Sequence, residues 1–325
     1  MTGSLVISLD LELMWGVRDH RTVRDYGDAV LGGRKAIPKL LNRFQEAGIR
    51  ATWATVGLLL AKDRNEMLEY APACRPIYEN ARLSPYSDIE NKLIGENEAS
   101  DPFHFGKSII DRIAGTPGQE IATHTYGHYY CLEPGATEAS FKEDLRSARS
   151  IAERYGHKIN TIVFPRNQTT KLFVQSANEV GFSIYRGDAF GWLYQSRSSA
   201  NMTKLFRLAR FLDGAIPIGP HQVTNPAIER STINVPASRF LRPWTKSFAA
   251  YHHLHISRIQ SEMRLAAEYG ACYHLWWHPH NFGRNTAENL SQLDRLIVCF
   301  KRCRDELGMV SKNMSDFSSY SGGIN

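Results

Sequence analysis

Apolar segments alternate with amphipathic segments along most of the chain, and in four places a glycine stands between the two. Each time a helix-like stretch ends at the glycine and an apolar run follows shortly after it, at 49–55, 160–164, 182–185 and 271–277. Glycine readily adopts the left-handed conformation just past a helix, so each joint predicts a helix end followed by a strand. Such alternation is typical of a parallel sheet buried on both faces. We therefore expect an α/β fold, either doubly wound or closed into a barrel.

Two stretches interrupt this alternation, at about 72–101 and about 187–244. Both are rich in Pro, Gly, Ser and Asn and have poor periodicity, which is typical of long loops. We interpret them as insertions in a single catalytic domain over residues 1–325, since no linker divides the chain. In α/β folds such loops usually follow the carboxyl ends of strands and form the ligand site.

The positive charge is concentrated in the second insertion. The chain has 39 basic and 33 acidic residues, hence a net charge of +6. Residues 197–246 contain eight Lys or Arg and two acids, which accounts for all of it. An anionic group would therefore be attracted to this segment. The segment has no recognisable motif for reading a nucleic-acid groove, so we do not expect nucleic-acid binding.

The spacing of the cysteines and the lengths of the apolar runs indicate the cellular compartment of the protein. The five cysteines include no Cys-x-x-Cys pair and are expected to be reduced thiols. The longest apolar runs are far shorter than the roughly 18 residues of a transmembrane helix. The first residues also lack the basic and apolar regions of a secretion signal. We therefore expect a cytoplasmic protein with no transmembrane segment.

Acidic and histidine side chains follow two of the apolar runs. Asp10 and Glu12, two residues apart, would project to the same side of an extended first strand. His124 and His128 are four residues apart, a spacing that would place both rings on one side of a helical turn. Two imidazoles and one carboxylate form a ligand set typical of catalytic zinc, which keeps one position open for water.

Two further strand ends carry candidate groups. Arg166 follows the apolar run 161–164 and could hold a carboxylate in a bidentate manner. His278 and His280 follow the run 271–277, and a histidine there could protonate a leaving amine near neutral pH.

The order of these clusters resembles that of the polysaccharide deacetylases, the NodB-homology group of carbohydrate esterase family four. The resemblance rests on Asp10-x-Glu12, on His124-x-x-x-His128, on the Phe-Pro-Arg-Asn-Gln sequence at 164–168, and on Leu-x-x-His ending at 278. It covers roughly residues 4–308. It implies a distorted (β/α) barrel of about seven strands and metal-dependent removal of an acyl group from an amino sugar.

The resemblance also implies roles for individual residues. Asp10 would be the catalytic base, and Arg166 would brace it. His124 and His128 would bind a divalent metal, with zinc as the expected ion and Glu12 as the third ligand; the choice between Asp10 and Glu12 as ligand stays open. His278 would be the general acid, with His280 as the other candidate.

Further substrate contacts are expected from the same strand ends and from the basic insertion. The backbone N–H of Asn167 would face the oxyanion of the tetrahedral intermediate. Arg239 and Arg242 would contact a phosphate if the substrate is a nucleotide-linked or lipid-phosphate-linked amino sugar. His280 would also line this site.

The chain departs from the usual family pattern in its first and third motifs. The first has Leu11 between its two acids, and the third is Phe-Pro-Arg-Asn-Gln in place of Arg-x-Pro-x-Gly. These departures indicate a divergent intracellular branch, similar to enzymes of surface-polysaccharide biosynthesis. They leave open whether acetyl or formyl is removed, and from which sugar. Two alternatives also stay open: a cyclic-amide hydrolase of the allantoinase type with the same fold, and a carbohydrate-binding protein without turnover.

Overall fold

A computed structural model describes residues 2–319, and within them ten strands form one sheet surrounded by nine α-helices. The strands are β1 (Ser4–Leu11), β2 (Ala51–Thr55), β3 (Gln119–Thr123), β4 (Thr161–Ile162), β5 (Ile184–Tyr185), β6 (Ala227–Glu229), β7 (Thr232–Asn234), β8 (Arg239–Phe240), β9 (Cys272–Trp277) and β10 (Val310–Lys312). The helices are α1 (Val23–Ala47), α2 (Arg64–Glu69), α3 (Tyr86–Glu90), α4 (Lys107–Ala114), α5 (Glu138–Arg154), α6 (Lys171–Glu179), α7 (Lys204–Asp213), α8 (Ala249–Glu268) and α9 (Thr286–Leu307).

The sheet curls into a distorted barrel. Its strand order is β6-β7-β5-β4-β3-β2-β1-β9-β8, and β10 pairs with the first half of β1. Only four residues, 235–238, separate β7 near one end of this order from β8 at the other. The Val235 N–H donates to the Tyr185 carbonyl at 2.9 Å, and the Ser238 N–H donates to the His274 carbonyl at 2.8 Å. The continuous segment from β7 to β8 thus pairs with β5 on one side and with β9 on the other, and so closes the sheet. Counted as one wall position, it gives seven positions with β5, β4, β3, β2, β1 and β9, which confirms the predicted fold class.

The parallel strands end at one rim. Every strand pair is parallel except β6 with β7. Since parallel strands present their carboxyl ends at the same edge, the residues that follow them lie together. Five such residues are Glu12 after β1, His124 after β3, Arg166 after β4, Arg186 after β5 and His278 after β9.

Burial on both faces explains why the strands read as apolar runs. All eight residues of β1 are buried, and Trp53 of β2 and Trp277 of β9 are completely enclosed. Each large apolar side chain buried in this way contributes about 1.5–3 kcal/mol to folding. The buried core therefore fixes the positions of the strands, and with them the positions of the rim residues that follow their carboxyl ends.

The four glycine joints are confirmed as left-handed positions. The φ angles are 67° at Gly48, 79° at Gly156, 87° at Gly181 and 64° at Gly270. Other residues adopt such angles at a cost, so the glycines mark where each helix turns into the next strand.

The segment 187–244 is only partly an insertion. Its first part contains α7 and β6, which lie outside the seven barrel positions, but its last part contains β7 and β8, which complete the barrel wall. The poor periodicity of this stretch concealed these strands because they are only two or three residues long. None of the helices of residues 2–319 has both the length and the apolar character needed to cross a bilayer.

Candidate active site

Four histidines surround the carboxylate of Glu12 at the rim. His128 Nε2 lies 3.0 Å and His124 Nε2 lies 3.5 Å from Glu12 Oε2. On the other side, His278 Nε2 lies 3.5 Å and His280 Nε2 lies 3.9 Å from Glu12 Oε1. Glu12 is 4% exposed, so this charge is almost entirely shielded from water. The structure thus brings together the three residues expected to bind a metal, with the two expected acids beside them.

The two histidines of the His-x-x-x-His sequence lie in a loop rather than on a helix. Thr125 has a φ of 64° and His128 a φ of 58°, both left-handed, and β3 ends at Thr123. The helical turn expected from the spacing is therefore wrong. The loop nevertheless brings the two imidazole rings to 5.0 Å between centroids.

A buried carboxylate holds this loop. Asp144 of α5 accepts hydrogen bonds from the backbone N–H groups of Tyr126 at 2.6 Å and Gly127 at 3.0 Å. Burial raises the pKa of Asp144 to about 7, although these two hydrogen bonds act in the opposite direction. Sequence reasoning missed this residue, which sits within the amphipathic pattern of its helix.

The tautomer of His124 bears on metal binding. Its Nδ1 lies 2.8 Å from the Val163 carbonyl, which can only accept, so Nδ1 carries the proton. Nε2 is therefore the ring nitrogen available to a metal ion, and it is buried, has no hydrogen-bond partner among residues 2–319, and lies 3.5 Å from Glu12 Oε2. A divalent ion between this nitrogen and the carboxylate would satisfy both groups. The donor atoms of Glu12, His124 and His128 lie within 4.8 Å of one another, so this group fits a divalent ion.

The protonation of the cluster suits metal ligation. Burial opposes ionisation of Glu12, but the surrounding imidazoles, that of His278 first, hold its pKa well below the ordinary range. Burial lowers the pKa of His128 to about 4, so its ring is neutral at pH 7. An ionised carboxylate and neutral imidazoles are the forms that bind metal ions.

Asp10 is held by Arg186, not by Arg166. The guanidinium of Arg186 donates to both carboxylate oxygens of Asp10, at 2.7 and 2.8 Å, and both side chains are buried. Burial alone would raise the pKa of Asp10, but the charge and hydrogen bonds of Arg186, together with the nearby His124 and His278, lower that pKa below its ordinary value. Asp10 is therefore an ionised carboxylate at the rim.

Arg186 is fixed in turn by other polar groups. It donates to Asn167 Oδ1 at 2.8 Å and to Ser8 Oγ at 2.9 Å. The same Ser8 hydroxyl lies 2.8 Å from Nε2 of the buried His274. Arg186 directly follows an apolar strand. Arg166 became a candidate because of the same sequence feature, so that feature could also have identified Arg186.

The expected role of Arg166 is corrected by its geometry. Its guanidinium donates to Asp19 Oδ2 at 2.6 Å and to Ser199 Oγ at 2.9 Å, and it lies 4.5 Å from the Tyr130 ring centroid. Arg166 has a φ of 54°, so the turn directs its side chain away from Asp10.

The expected oxyanion donor is also corrected. The backbone N–H of Asn167 donates to the Phe164 carbonyl at 2.9 Å within the same turn, so it is not free for an oxyanion. The Asn167 side chain instead accepts hydrogen bonds from Arg186.

His278 and His280 differ in access. The His278 side chain is 23% exposed and its Nε2 lies 3.7 Å from Asp10 Oδ2. His280 is 4% exposed in its side chain, and burial lowers its pKa to about 4. The two rings stack at 5.0 Å. His278 is thus the one of the pair that a substrate can reach.

Arg239 does not face the site. It is buried in ion pairs with Asp213 and Glu262, so the expected phosphate contact is wrong for this residue. Arg242 is half-buried, donates to the Arg210 carbonyl, and lines a cavity beside the rim.

Comparison with known proteins agrees with this architecture. The sequence profile of the polysaccharide deacetylase family matches residues 25–185. A protein from Mycobacterium smegmatis assigned to the polysaccharide deacetylases has a similar structure, with a TM-score of 0.61, 15% identity, and coverage of 98% of this chain and 90% of that one. The PuuE allantoinase follows with a TM-score of 0.56, 11% identity, and coverage of 99% and 92%.

A third structure, from Pseudomonas aeruginosa PAO1 and also assigned to the polysaccharide deacetylases, has a TM-score of 0.57, 11% identity, and coverage of 99% of this chain and 92% of that one. At these identities the likeness concerns the fold. No curated protein matches the sequence. The profile match, the barrel and the arrangement of strand ends agree with one another, and together they support assignment of the chain to the polysaccharide deacetylases, a family of hydrolases.

Proposed function

We propose that this protein is a metal-dependent hydrolase that removes an N-acyl group, acetyl or formyl, from an amino sugar. One observation carries the proposal: the buried, unpartnered Nε2 of His124 faces the buried carboxylate of Glu12, with Nε2 of His128 beside it. A divalent ion between these groups would give the nitrogen a partner and neutralise the carboxylate. A protein that only binds carbohydrate has no need of this arrangement.

Glu12, His124 and His128 would hold the divalent ion, and their nitrogen and oxygen donors suit zinc. When bound, such an ion polarises the amide carbonyl and lowers the pKa of water toward 7. The chain keeps His124 in the required tautomer through the Val163 carbonyl, as metal-binding histidines are commonly oriented.

Asp10 would act as the general base that takes a proton from the attacking water. Arg186 keeps Asp10 ionised and fixes its plane, while each carboxylate oxygen retains a lone pair for that proton. Since Asp10 is engaged by Arg186, Glu12 is the better candidate for the metal ligand.

His278 would protonate the departing amine. Its Nε2 lies within 4 Å of both Asp10 and Glu12, and its side chain is open to the rim. His280 is enclosed behind it and would support the His278 ring by stacking.

Metal analysis of the purified protein tests the first step. We expect about one divalent ion per chain in the wild type and in His253→Ala, an exposed histidine of α8, and much less in His124→Ala. A folded wild-type protein that neither contains nor takes up zinc would overturn the metal assignment.

Substrate profiling tests the reaction. Released acetate or formate from N-acylated amino sugars, with none from the cyclic amide allantoin, supports an amino-sugar deacylase. Allantoin hydrolysis would instead favour the cyclic-amide alternative, and sugar binding without acyl release would favour the protein without turnover.

The cellular role follows from the departures in the first and third motifs. We place the enzyme in surface-polysaccharide biosynthesis, acting in the cytoplasm on a precursor. Loss of N-deacylated sugar from the surface polysaccharide of a deletion strain is the expected result, and an unchanged polysaccharide would contradict this role.

A further inference from the structure

A cavity of about 200 Å³ adjoins the rim beside Asp10. Two residues of its lining also touch Arg186: the Asn167 side chain accepts its hydrogen bonds, and the Trp276 ring centroid lies 4.3 Å from its guanidinium carbon. A third, Phe240, lies 5.7 Å from the His278 ring. A substrate with its amide at Asp10 and His278 could therefore extend into this cavity.

The cavity is lined by arginines that have no acidic partner. Arg197, Arg210 and Arg242 all line it, and within residues 2–319 none of the three forms an ion pair. Their guanidinium groups donate hydrogen bonds to backbone carbonyls. Arg166 also lines the cavity but is paired with Asp19.

These charges repel one another. Burial lowers the pKa of Arg210, and the neighbouring charge of Arg197 lowers it further. One carboxyl group, Asp188, shares the lining, but burial raises its pKa and the Ser196 N–H and hydroxyl both donate to its Oδ2. The lining therefore carries an excess of positive charge that an anion would neutralise.

We propose that this cavity binds a phosphate or diphosphate group on the amino-sugar substrate. The proposal rests on the proposed deacylase site beside it. Three unpaired guanidinium groups match the charge of a phosphate ester better than the single charge of a carboxylate, and arginine forks suit phosphate oxygens. The substrate would then be a sugar phosphate, a nucleotide sugar or a lipid diphosphate sugar, and not a neutral polymer.

Calorimetric titration with pyrophosphate tests the cavity without turnover. The titration uses the His124→Ala variant as background, so that binding to a metal ion does not contribute. Charge-assisted hydrogen bonds suggest that Arg210→Gln and Arg242→Gln each weaken binding by about 10-fold or more. Arg207→Gln, an exposed arginine on the same helix, is the matched control and should bind as tightly as the background protein.

If Arg210→Gln does not fold, Arg197→Gln replaces it, and melting curves verify the fold of each variant. No binding by the background protein, or equal weakening by Arg207→Gln, would overturn the proposal. Either result would leave the deacylase assignment intact, because that assignment is tested by metal content and acyl release.

Turnover then separates the possible sources of the phosphate. The values of kcat/KM for a neutral N-acyl amino sugar, its 1-phosphate, its nucleoside diphosphate ester and its polyprenyl diphosphate ester are compared. We expect the neutral sugar to be the poorest substrate, and the best of the others identifies the source. A neutral sugar that is turned over as well as the phosphate esters would contradict the proposal.

An independent observation concerns the outer face of α7. Within this helix Asp213 is the one buried residue. Leu205, Leu208 and Leu212 lie on one side, at 75%, 52% and 38% exposure. Burying such a stripe normally stabilises a surface helix, so its exposure indicates a contact made outside this chain.

The residues just before and just after α7 in the sequence extend this apolar face. Exposed apolar side chains flank the helix on both sides in sequence: Phe190, Trp192, Ile216 and Ile218. Lys204 and Arg207 are exposed on the helix beside the leucines, and the sole acid between 190 and 218 is the buried Asp213. We call residues 190–218 the α7 face.

We infer that the α7 face lies on a membrane surface that contains anionic lipids. Leucine and tryptophan side chains beside lysine and arginine are typical of helices that lie in the lipid interface, where the basic groups meet anionic head groups. Arg197 and Arg210 of the cavity belong to the same segment, so docking would bring the cavity near the lipid head groups.

Co-sedimentation with vesicles tests this inference. Vesicles of phosphatidylcholine and phosphatidylglycerol in equal parts should bind the protein, and vesicles of phosphatidylcholine alone should bind it several-fold less. The Leu205→Ser/Leu208→Ser variant should lose binding, whereas Leu172→Ser, at an exposed leucine of α6, should retain it. Equal binding by both variants would overturn the inference, as would a wild-type dimer in solution that the double variant abolishes.

Discussion

Two buried groups of paired charges, one ion pair and one four-residue cluster, lie in different parts of the molecule and differ in what surrounds them. At the rim, Arg186 binds both oxygens of Asp10, and His278 and Glu12 lie beside the pair. Behind the barrel wall, Arg239 binds Asp213 and Glu262, which also face Arg258. In both places the paired carboxylates and arginines are almost completely buried.

The difference lies in which hydrogen-bonding groups are left free. Around Arg239, the hydroxyl groups of Tyr194 and Tyr273 bind the two acids, so both carboxylates of this closed cluster are satisfied by the protein itself. Its one buried guanidinium nitrogen without a partner among residues 2–319, Nη1 of Arg258, is a donor and cannot bind a metal ion. Around Asp10, the site opens to solvent through His278, whose side chain is 23% exposed, and His124 keeps an unpartnered ring nitrogen. Burial and pairing are thus common to both clusters, and the rim differs because it is open to solvent at His278 and because its unpartnered atom is a ring nitrogen that can bind a metal ion.

The largest expected effect is on turnover at the rim. Replacing Asp10 with Asn should reduce kcat by about 10²–10⁴, because an amide cannot accept the proton from water. The exposed Asp305→Asn is the matched control. If Asp10→Asn retained more than about a tenth of the turnover, Asp10 would not be the base.

The next effect is on folding at the closed cluster. Arg239→Met should lower the free energy of unfolding by about 3–5 kcal/mol, because Asp213 and Glu262 lose their main buried partner. Urea denaturation measures it. A loss below about 1 kcal/mol would show that Arg258 alone can neutralise both acids.

A comparison of two arginines sharpens the contrast within the rim. Arg186→Ala removes the charge that lowers the pKa of Asp10, so the acid limb of the kcat/KM profile should move to higher pH. Arg166→Ala should leave that limb in place, since its partner is Asp19. A shift in the Arg166 variant and not in the Arg186 variant would reverse this assignment.

The smallest effect concerns the loop that carries His128. Asp144 has a folded-state pKa of about 7, above its ordinary value, so the folded protein binds this proton more tightly than the unfolded chain. Its contribution to stability is therefore greatest below about pH 4 and declines as the pH rises to about 7. Asp144→Asn should lack this decline. Urea unfolding of both proteins at about pH 5 and about pH 8 measures the difference, and parallel behaviour would contradict the pKa.

The pattern of residues by itself determined a parallel α/β sheet and the position of its rim, and the resemblance to a known family chose the barrel over the doubly wound sheet. Glycines at the helix ends require a left-handed backbone, and strands buried on both faces must be apolar, so both features are local and visible in the order of residues. Because parallel strands end at one edge, the proximity of Glu12, His124 and His278 followed from the same pattern.

Only the tertiary structure decided which partners the polar side chains have. Arg166 and Arg186 both follow apolar strands, but the left-handed turn at Arg166 directs it to Asp19, and Arg186 reaches Asp10. Arg239 lies in a basic stretch, yet its partners Asp213 and Glu262 come from α7 and α8. The physical reason is that strand pattern depends on neighbours in sequence, whereas the partner of a charged group depends on which distant carboxylates packing brings within hydrogen-bond reach.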